Sequence, residues 1–445
     1  MLVDSINKRL IQKDIGIKNG KIDEIGSSLG AAKETVIADG KYISPGFIDI
    51  HMHEEDLALT KGKDLDISLA LLRNGVTTAV GGNCGSNRND FKEFIRYIQA
   101  GNYPINFMTY IGHNYLRERA GNSDPYARST KFQIEKMRGM AEEAIDFGGI
   151  GLSYGLEYCP GIDEAEAIGV AEGLYERDDV LMSFHARYDS QKALAAISEI
   201  HNIAKAVKAP IQISHLSSLC AYGNMDEALR RIEKISEEGI DVMCDAYPYG
   251  AFSCKIGSTV FDEGCFDNWG KSYDSVMLAE EPYKGVFCNR ELFYEVREKY
   301  PRMYVVAMMM NEEEIKTALR HPLVFACSDG AYNNHQGHPR GSGSFSRILG
   351  RYSLRENVLD MFDAIHKMTV MPAERLRLSH RKGKLAEGFD ADLVIFDPNT
   401  VMDSATFEKP QTPPAGIDYV FVNGHMAVAN GVTAKTNGGE FVPRQ

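Results

Sequence analysis

No apolar run in this sequence approaches the ~20 residues that cross a bilayer as a helix, and the opening Met1-Leu2-Val3-Asp4 has no secretory apolar core. A membrane partner is therefore not expected. Basic charge is also scarce: 49 Lys and Arg stand against 62 Asp and Glu, a formal net charge of -13. That argues against nucleic acid, whose phosphates bind surfaces rich in Lys and Arg. The acidic residues are spread along the chain, so an acidic tail is not expected either. Cysteine is sparse, eight in 445 residues without close spacings, which reads as reduced thiols in a cytoplasmic protein. Tryptophan occurs once and carries no functional signal. What remains, 44% hydrophobic and 25% charged residues, is the balance of a soluble protein long enough for two or three domains.

The two ends read alike. Asp14–Lys18 and Lys21–Gly26 alternate polar and apolar residues around Asn19-Gly20, a hairpin turn, and Ala391–Asp397 and Gly416–Asn423 repeat the style near the C-terminus. They predict one small β-sandwich domain assembled from residues 1–44 and 386–445. Between them, residues 45–385 alternate short apolar runs with amphipathic stretches. The runs are Phe47–Ile50, Thr77–Val80, Ile105–Ile111, Gly151–Ser153, Val180–Phe184, Ile211–Ser214, Val242–Asp245 and Leu323–Ser328. Helical patterns cover Ile67–Asn74 and Ile134–Phe147. Eight strands with helices between them predict an α/β fold, a parallel (β/α)8 barrel of the TIM type. Residues 250–320 have no single period and are expected to form an insertion over the barrel mouth, such as a lid.

The ends of these strands carry the chemistry. His51 and His53 follow the first, Cys84 the second, His185 the fifth, His215 the sixth and Asp329 the eighth, all at carboxyl ends, where barrel enzymes place reacting groups. Residues two apart on a strand share a side, so His51 and His53 can reach one metal together. Imidazole and thiolate suit Zn²⁺, and a carboxylate can complete the shell or act on bound water. Each has a plainer reading. A lone His most often satisfies local hydrogen bonds, as expected of His201, His321, His366, His380 and His425. Buried Cys is usually a small hydrophobe, as expected of Cys220, Cys244, Cys254, Cys265, Cys288 and Cys327. Asp329 before Gly330 could be a turn or helix cap. The joint pattern favours a metal site.

Pro45-Gly46-Phe47-Ile48-Asp49-Ile50-His51-Met52-His53 resembles the opening of the amidohydrolase superfamily's barrel. Gly82-Asn83-Cys84-Gly85 is narrower and resembles the D-aminoacylase (N-acyl-D-amino-acid deacylase) family, in which a cysteine replaces a carboxylated lysine as the shared metal ligand. Similar matches run through Gly112–Arg117, Gly151–Tyr158, Gln212–His215, Asp245–Tyr249, Ser328–Gly330, His338–Arg340 and Gly388–Pro398, covering essentially the whole chain. The resemblance implies a tight zinc on Cys84, His185 and His215, and a second, weaker position on His51, His53 and Asp329. It implies hydrolysis of an N-acyl-D-amino acid, a small-molecule substrate, with Asp329 as general base and acid. Arg340 would hold the α-carboxylate, assisted by Tyr158 and Ser253.

Three departures stand out. The family's lysine two residues past His215 is here Ser217, leaving no cation. Cys159-Pro160 follows Tyr158 where the family tends to have prolines, placing a thiol either near the pocket or in packing. The family's first strand and Asn-Gly turn are expected before Leu2-Val3-Asp4, so either the start lies upstream or the β domain lacks a strand. A second reading is a cyclic-amide ring hydrolase, hydantoinase- or lactamase-like, since the superfamily it resembles opens such rings with the same metal chemistry. A third, a non-catalytic scaffold of this fold, is opposed by the presence of Cys84, both histidine pairs and Asp329.

Overall fold

The computed structural model describes residues 1–60, 65–175, 177–434 and 437–445. Eight parallel strands form its centre: β1 (Phe47–Asp49), β2 (Val76–Gly81), β3 (Asn106–Thr109, continued by Ile111–Gly112), β4 (Gly151–Gly155), β5 (Leu181–His185), β6 (Ile211–Ile213), β7 (Val242–Ala246) and β8 (Val324–Ala326). Each pairs with the next, with one register shift between β1 and β2 at Phe47/Ile48, and β7 pairs with β8 through Cys244–Ala246 and Val324–Ala326. Between β8 and β1 the ring shuts just past the strands. Asp329 N donates to His51 O at 2.8 Å, and His53 N donates to Gly330 O at 2.9 Å. The expected barrel is the observed one.

Strands buried on both faces need continuous apolar stretches, and these short runs supply them. Ile48, Ile50, Val80, Met108, Tyr110, Leu181, Phe325 and Cys327 form one buried cluster, while Phe47, Ala79, Phe107, Leu152, Phe184 and Ile211 pack into the larger core. The helices α1 (Asp66–Arg73), α2 (Phe91–Gln99), α3 (Lys131–Asp146), α4 (Glu164–Ala171), α5 (Ala193–Val207), α6 (Met225–Glu237), α7 (Glu312–Arg320) and α8 (Met361–Met368) follow the strands in turn. Helix α6 shows why they lie flat on the barrel: Met225, Ala228, Leu229, Ile232 and Ile235 recur at helical spacing and are buried, and the rest is polar. Helix α7 starts where Asn311 Oδ1 accepts from Glu313 N and Glu314 N, with three glutamates in the first turn meeting the positive end of the helix dipole.

Both ends of the chain build one seven-stranded sheet, ordered Arg9–Ile11, Leu2–Asp4, Tyr42–Pro45, Leu393–Phe396, Ile417–Val422, His425–Ala429 and Val432–Thr433. The Asp14–Gly26 hairpin packs Ile15, Ile17, Ile22 and Ile25 against Ala391, Leu393 and Phe421 as a partial second layer. The last residues leave this sheet: Val442 N donates to Phe107 O, and Phe107 N donates to Glu440 O. The 250–320 segment forms a three-stranded antiparallel sheet (Phe252–Lys255, Tyr304–Ala307, Val276–Leu278) with the helix Arg290–Lys299 and its own apolar cluster around Phe261, Trp269 and Phe293.

Candidate active site

Strand β2 delivers Cys84 through a turn that only glycines fit. Gly82 and Gly85 have φ of +70° and +74°, and a Cβ on them would come within 2.1 Å of Tyr110 O and 2.6 Å of Asn114 Oδ1. Ser153 pins the turn, accepting from Gly85 N at 3.0 Å and donating to Gly82 O. Cys84 itself has φ +54°, His215 φ +34° and Asp329 φ +48°. Side chains rarely adopt this left-handed backbone, and three such residues around one point mark a site held under strain.

These side chains converge. Cys84 Sγ lies 3.3 Å from His51 Nε2 and 3.5 Å from His215 Nε2. Asp329 Oδ1 lies 3.2 Å from His53 Nε2 and 3.5 Å from His51 Nε2. Ligands on a tetrahedral zinc with bonds of 2.0–2.3 Å stand about 3.5 Å apart, so both groups have the spacing and chemistry to hold an ion. His51 serves both. His185 Nδ1 is 2.8 Å from His215 Nε2, while its Nε2 turns away to Glu157 Oε2 at 2.9 Å. The structure thus groups Cys84 and His215 with His51, and sets His185 immediately beside them.

The imidazoles are braced from behind. Asp245, at the end of β7, accepts from His215 N at 2.7 Å and from Gln212 Nε2 at 2.8 Å, and faces His51 Nδ1 at 3.3 Å. Ser218 Oγ sits 3.0 Å from His215 Nδ1. With Ser218 on His215 Nδ1 and Asp245 facing His51 Nδ1, Nε2 of both histidines is turned to the centre. Asp245 and Glu157 lie within the motifs Asp245–Tyr249 and Gly151–Tyr158, but the sequence alone gives them no role.

Charge follows geometry. Burial alone would push the Cys84 thiol up, but the His51 and His185 imidazoles beside it hold it well below the usual thiol range. Burial would likewise raise Asp329; Arg340, with Nη1 2.7 Å from Asp329 Oδ2, and His53 keep the carboxyl well below the usual carboxylate range. Arg340 is buried over the Tyr247 ring, 4.7 Å from its centroid, and its Nη2 donates to Ser253 O at 3.3 Å.

Cys84, His53, His185, His215 and Asp329 line a cavity of about 430 Å³, roofed by insertion residues including Phe252–Lys255, Val260 and Tyr304. Arg340, Tyr158 and Ser253 line it too. The Tyr158 ring packs against His185 with centroids 4.4 Å apart, and Ser253 Oγ has no hydrogen-bond partner among the described residues. Ser217 is buried, its Oγ accepting from Tyr247 N at 3.4 Å, and is not part of the wall. Cys159 reaches the cavity and also packs on the core, where burial pushes its thiol up to about 11. Away from the cavity, His201 and His321 meet Glu238 and Glu233 at 3.0 Å, while Cys254 lines the cavity wall. Cys220, Cys244, Cys254, Cys288 and Cys327 are buried, and Cys265 is half-buried.

The chain is 31% identical to the D-aminoacylase of Alcaligenes xylosoxydans xylosoxydans over 454 residues, covering 95% of this chain and 92% of the relative. It belongs to the D-aminoacylase family. A profile of the Amidohydrolase family matches residues 286–428. The N-acyl-D-glutamate deacylase of the same organism is 29% identical over 462 residues, covering 95% of this chain and 91% of the relative. Among solved structures, the N-acyl-D-glutamate deacylase of Bordetella bronchiseptica, complexed with zinc and a phosphonate mimic of the tetrahedral intermediate, superposes with a TM-score of 0.88 at 28% identity, over 100% of this chain and 98% of the other. Like these D-aminoacylase relatives in fold, the chain sets its candidate ligands at the carboxyl ends of barrel strands. Among the described residues no helix is long and apolar enough to cross a membrane.

Proposed function

We propose that this D-aminoacylase-family chain is a zinc-dependent hydrolase cleaving the amide bond of an N-acyl-D-amino acid to a carboxylate and a free D-amino acid. The observation that carries the reading is the convergence of Cys84, His51 and His215 beside Asp329, with Cys84, His215 and Asp329 lining the cavity. Cys84, His185 and His215 would hold the tight zinc, and His51, His53 and Asp329 a second, weaker one. Zinc bound there supplies Lewis acidity, which acidifies water and polarises a carbonyl. Asp329, kept deprotonated by Arg340, takes the proton of the attacking water and passes it to the departing amine nitrogen, whose expulsion as an anion would be prohibitive.

Arg340 presents a planar fork to the substrate α-carboxylate and so fixes the scissile amide over the ligand cluster. The hydroxyls of Tyr158 and Ser253 face the same cavity and would donate to substrate oxygens. The eight free thiols suit a cytoplasmic setting.

Metal analysis of the purified protein, with turnover of paired N-acetyl-D- and N-acetyl-L-amino acids, tests the reading. The expected result is bound zinc and turnover confined to the D series. Zinc-free protein that regains no D-specific turnover on adding zinc would overturn it.

A further inference from the structure

A second cavity, of about 860 Å³, opens at the end of the barrel opposite Cys84 and Asp329. Asp241 and Pro322 line it, and they stand just before the amino ends of β7 and β8. Two consecutive helices face it as well. Helix α8 presents Asp363, His366 and Lys367, and the helix Val370–Arg375 presents Met371, Glu374 and Arg375. Both triplets have the i, i+3, i+4 spacing of one helical face. Met243, Pro322, Val358, Leu359 and Met371 give the cavity a hydrocarbon wall.

Two of its carboxylates are already neutralised. Arg375 Nη1 donates to Asp241 Oδ1 at 2.6 Å, and Asp363 Oδ1 lies 2.7 Å from Lys8 Nζ of the small domain. Lys367 has no such partner. It is only 7% exposed, and its ammonium donates to His321 O and Val324 O, each at 2.6 Å. Among the described residues no carboxylate pairs with it. Arg320, at the end of α7, likewise forms no ion pair there, and its Nη2 donates to Thr317 Oγ1 at 3.3 Å. Glu374 is the reverse case, an exposed carboxylate on the cavity wall without a cation. Burial pushes its neighbour His366 below the usual imidazole range, and His366 Nδ1 has no hydrogen-bond partner among the described residues. A buried ammonium without an anion is costly, and burial accordingly pushes Lys367 down to about 8 against the attraction of Asp363. A ligand anion relieves that cost, and a ligand cation completes Glu374.

We propose that this cavity binds a zwitterionic α-amino acid with an apolar side chain. Its carboxylate goes to Lys367 and Arg320, its ammonium to Glu374, and its side chain to the wall formed by Met243, Leu359 and Met371. One molecule then supplies the missing anion, the missing cation and hydrocarbon for the wall. The free D-amino acid that the proposed reaction releases belongs to this class, which gives the product a second address far from the catalytic end. Only the source of the ligand rests on the hydrolase reading.

Calorimetry of the zinc-loaded protein with D-leucine and L-leucine tests the site. Isocaproate and isoamylamine, which each lack one of the two charged groups, serve as controls. At least one leucine enantiomer is expected to bind about tenfold more tightly than either control. Lys367→Met and Glu374→Gln should each remove about tenfold of that affinity, while Arg340→Ala, at the catalytic end, leaves it in place. Should Lys367→Met fail to fold once its carbonyl contacts are lost, Arg320→Met carries the same expectation from an exposed position. Tighter binding of D-leucine identifies the reaction product as the ligand, and tighter binding of L-leucine an amino acid from another source; either upholds the site. No leucine binding, controls that bind as tightly as leucine, or a loss confined to Arg340→Ala overturns it. Absence of N-acyl-D-amino-acid turnover would strike the hydrolase reading and leave these binding results untouched.

Discussion

Arg340 Nη1 stands 2.7 Å from Asp329 Oδ2, and both side chains are almost wholly buried. One charge explains the other: a carboxylate in such a setting would take up a proton without its guanidinium, and the guanidinium would be an uncompensated buried cation without the carboxylate. The pair thus links the group assigned to substrate binding with the group assigned to proton transfer.

Removing Arg340 should therefore change pH behaviour as well as affinity. Because Arg340 holds Asp329 down, Arg340→Ala lets the carboxyl rise. The acidic limb of the kcat/KM profile is expected to move to higher pH, with a raised KM for substrates bearing an α-carboxylate. A pH profile coincident with that of the parent would remove the linkage.

Asp329→Asn keeps the size of the side chain and loses its basicity. Turnover should fall by about 10²- to 10⁴-fold, the usual worth of a positioned acid–base group. Zinc at the Cys84 position should persist, as read by metal analysis. Near-normal rates would exclude Asp329 from proton transfer.

Cys84→Ala withdraws the thiolate around which the imidazoles gather. Because an ion that binds only the folded state stabilises it, added zinc should raise the melting temperature of the parent and leave this variant unmoved. An equal rise in both proteins would place the ion elsewhere.

Asp245 touches His51 and His215 from outside the cluster. Asp245→Asn should weaken zinc retention by about 10- to 100-fold in a competitive chelator titration, as expected for a group that orients ligands. Unaltered retention would reduce Asp245 to a packing role.

The small domain carries a separate acid-sensitive element. Asp390 meets Lys382 at 2.9 Å, Arg381 at 2.6 Å and also Lys21. Burial raises its pKa, but these cations win and bring it from 3.8 to about 2. A depressed folded pKa means stability that is present above the unfolded value and is lost as pH falls through the folded one. Asp390 should thus contribute about 2 kcal/mol above pH ~4, fading toward pH ~2. In denaturant unfolding, the gap between parent and Asp390→Asn should narrow across that window; a constant gap would contradict the assignment.

Much of this architecture is readable from the chain because strands buried on both faces demand uninterrupted apolar runs. The run Thr77–Val80 lies inside the observed Val76–Gly81, and the periodic Ile67–Asn74 is helix Asp66–Arg73. The histidines and Cys84 were legible because each lies within four residues of the end of such a run. Asp245 and Glu157 were not: a single carboxylate at a strand end looks the same whether it caps a turn or holds an imidazole, and only the distances to His51 and His185 separate the two. The insertion at 250–320 was legible as such, but its internal strands were not, for a different reason. Its three short strands pack on mixed aromatic and sulfur side chains around Phe261 and Trp269, a pattern with no single period.

The hydrogen bonds joining His51 and His53 to Asp329 and Gly330 fasten together parts of the chain that begin and end the cylinder, with His53 and Asp329 276 positions apart. Joining such distant segments carries one of the larger loop-closure entropies in the molecule. An ion gripped by His51, His53 and Asp329 would act there as a clasp, so its loss should loosen the seam between the first and last staves before any other part of the ring.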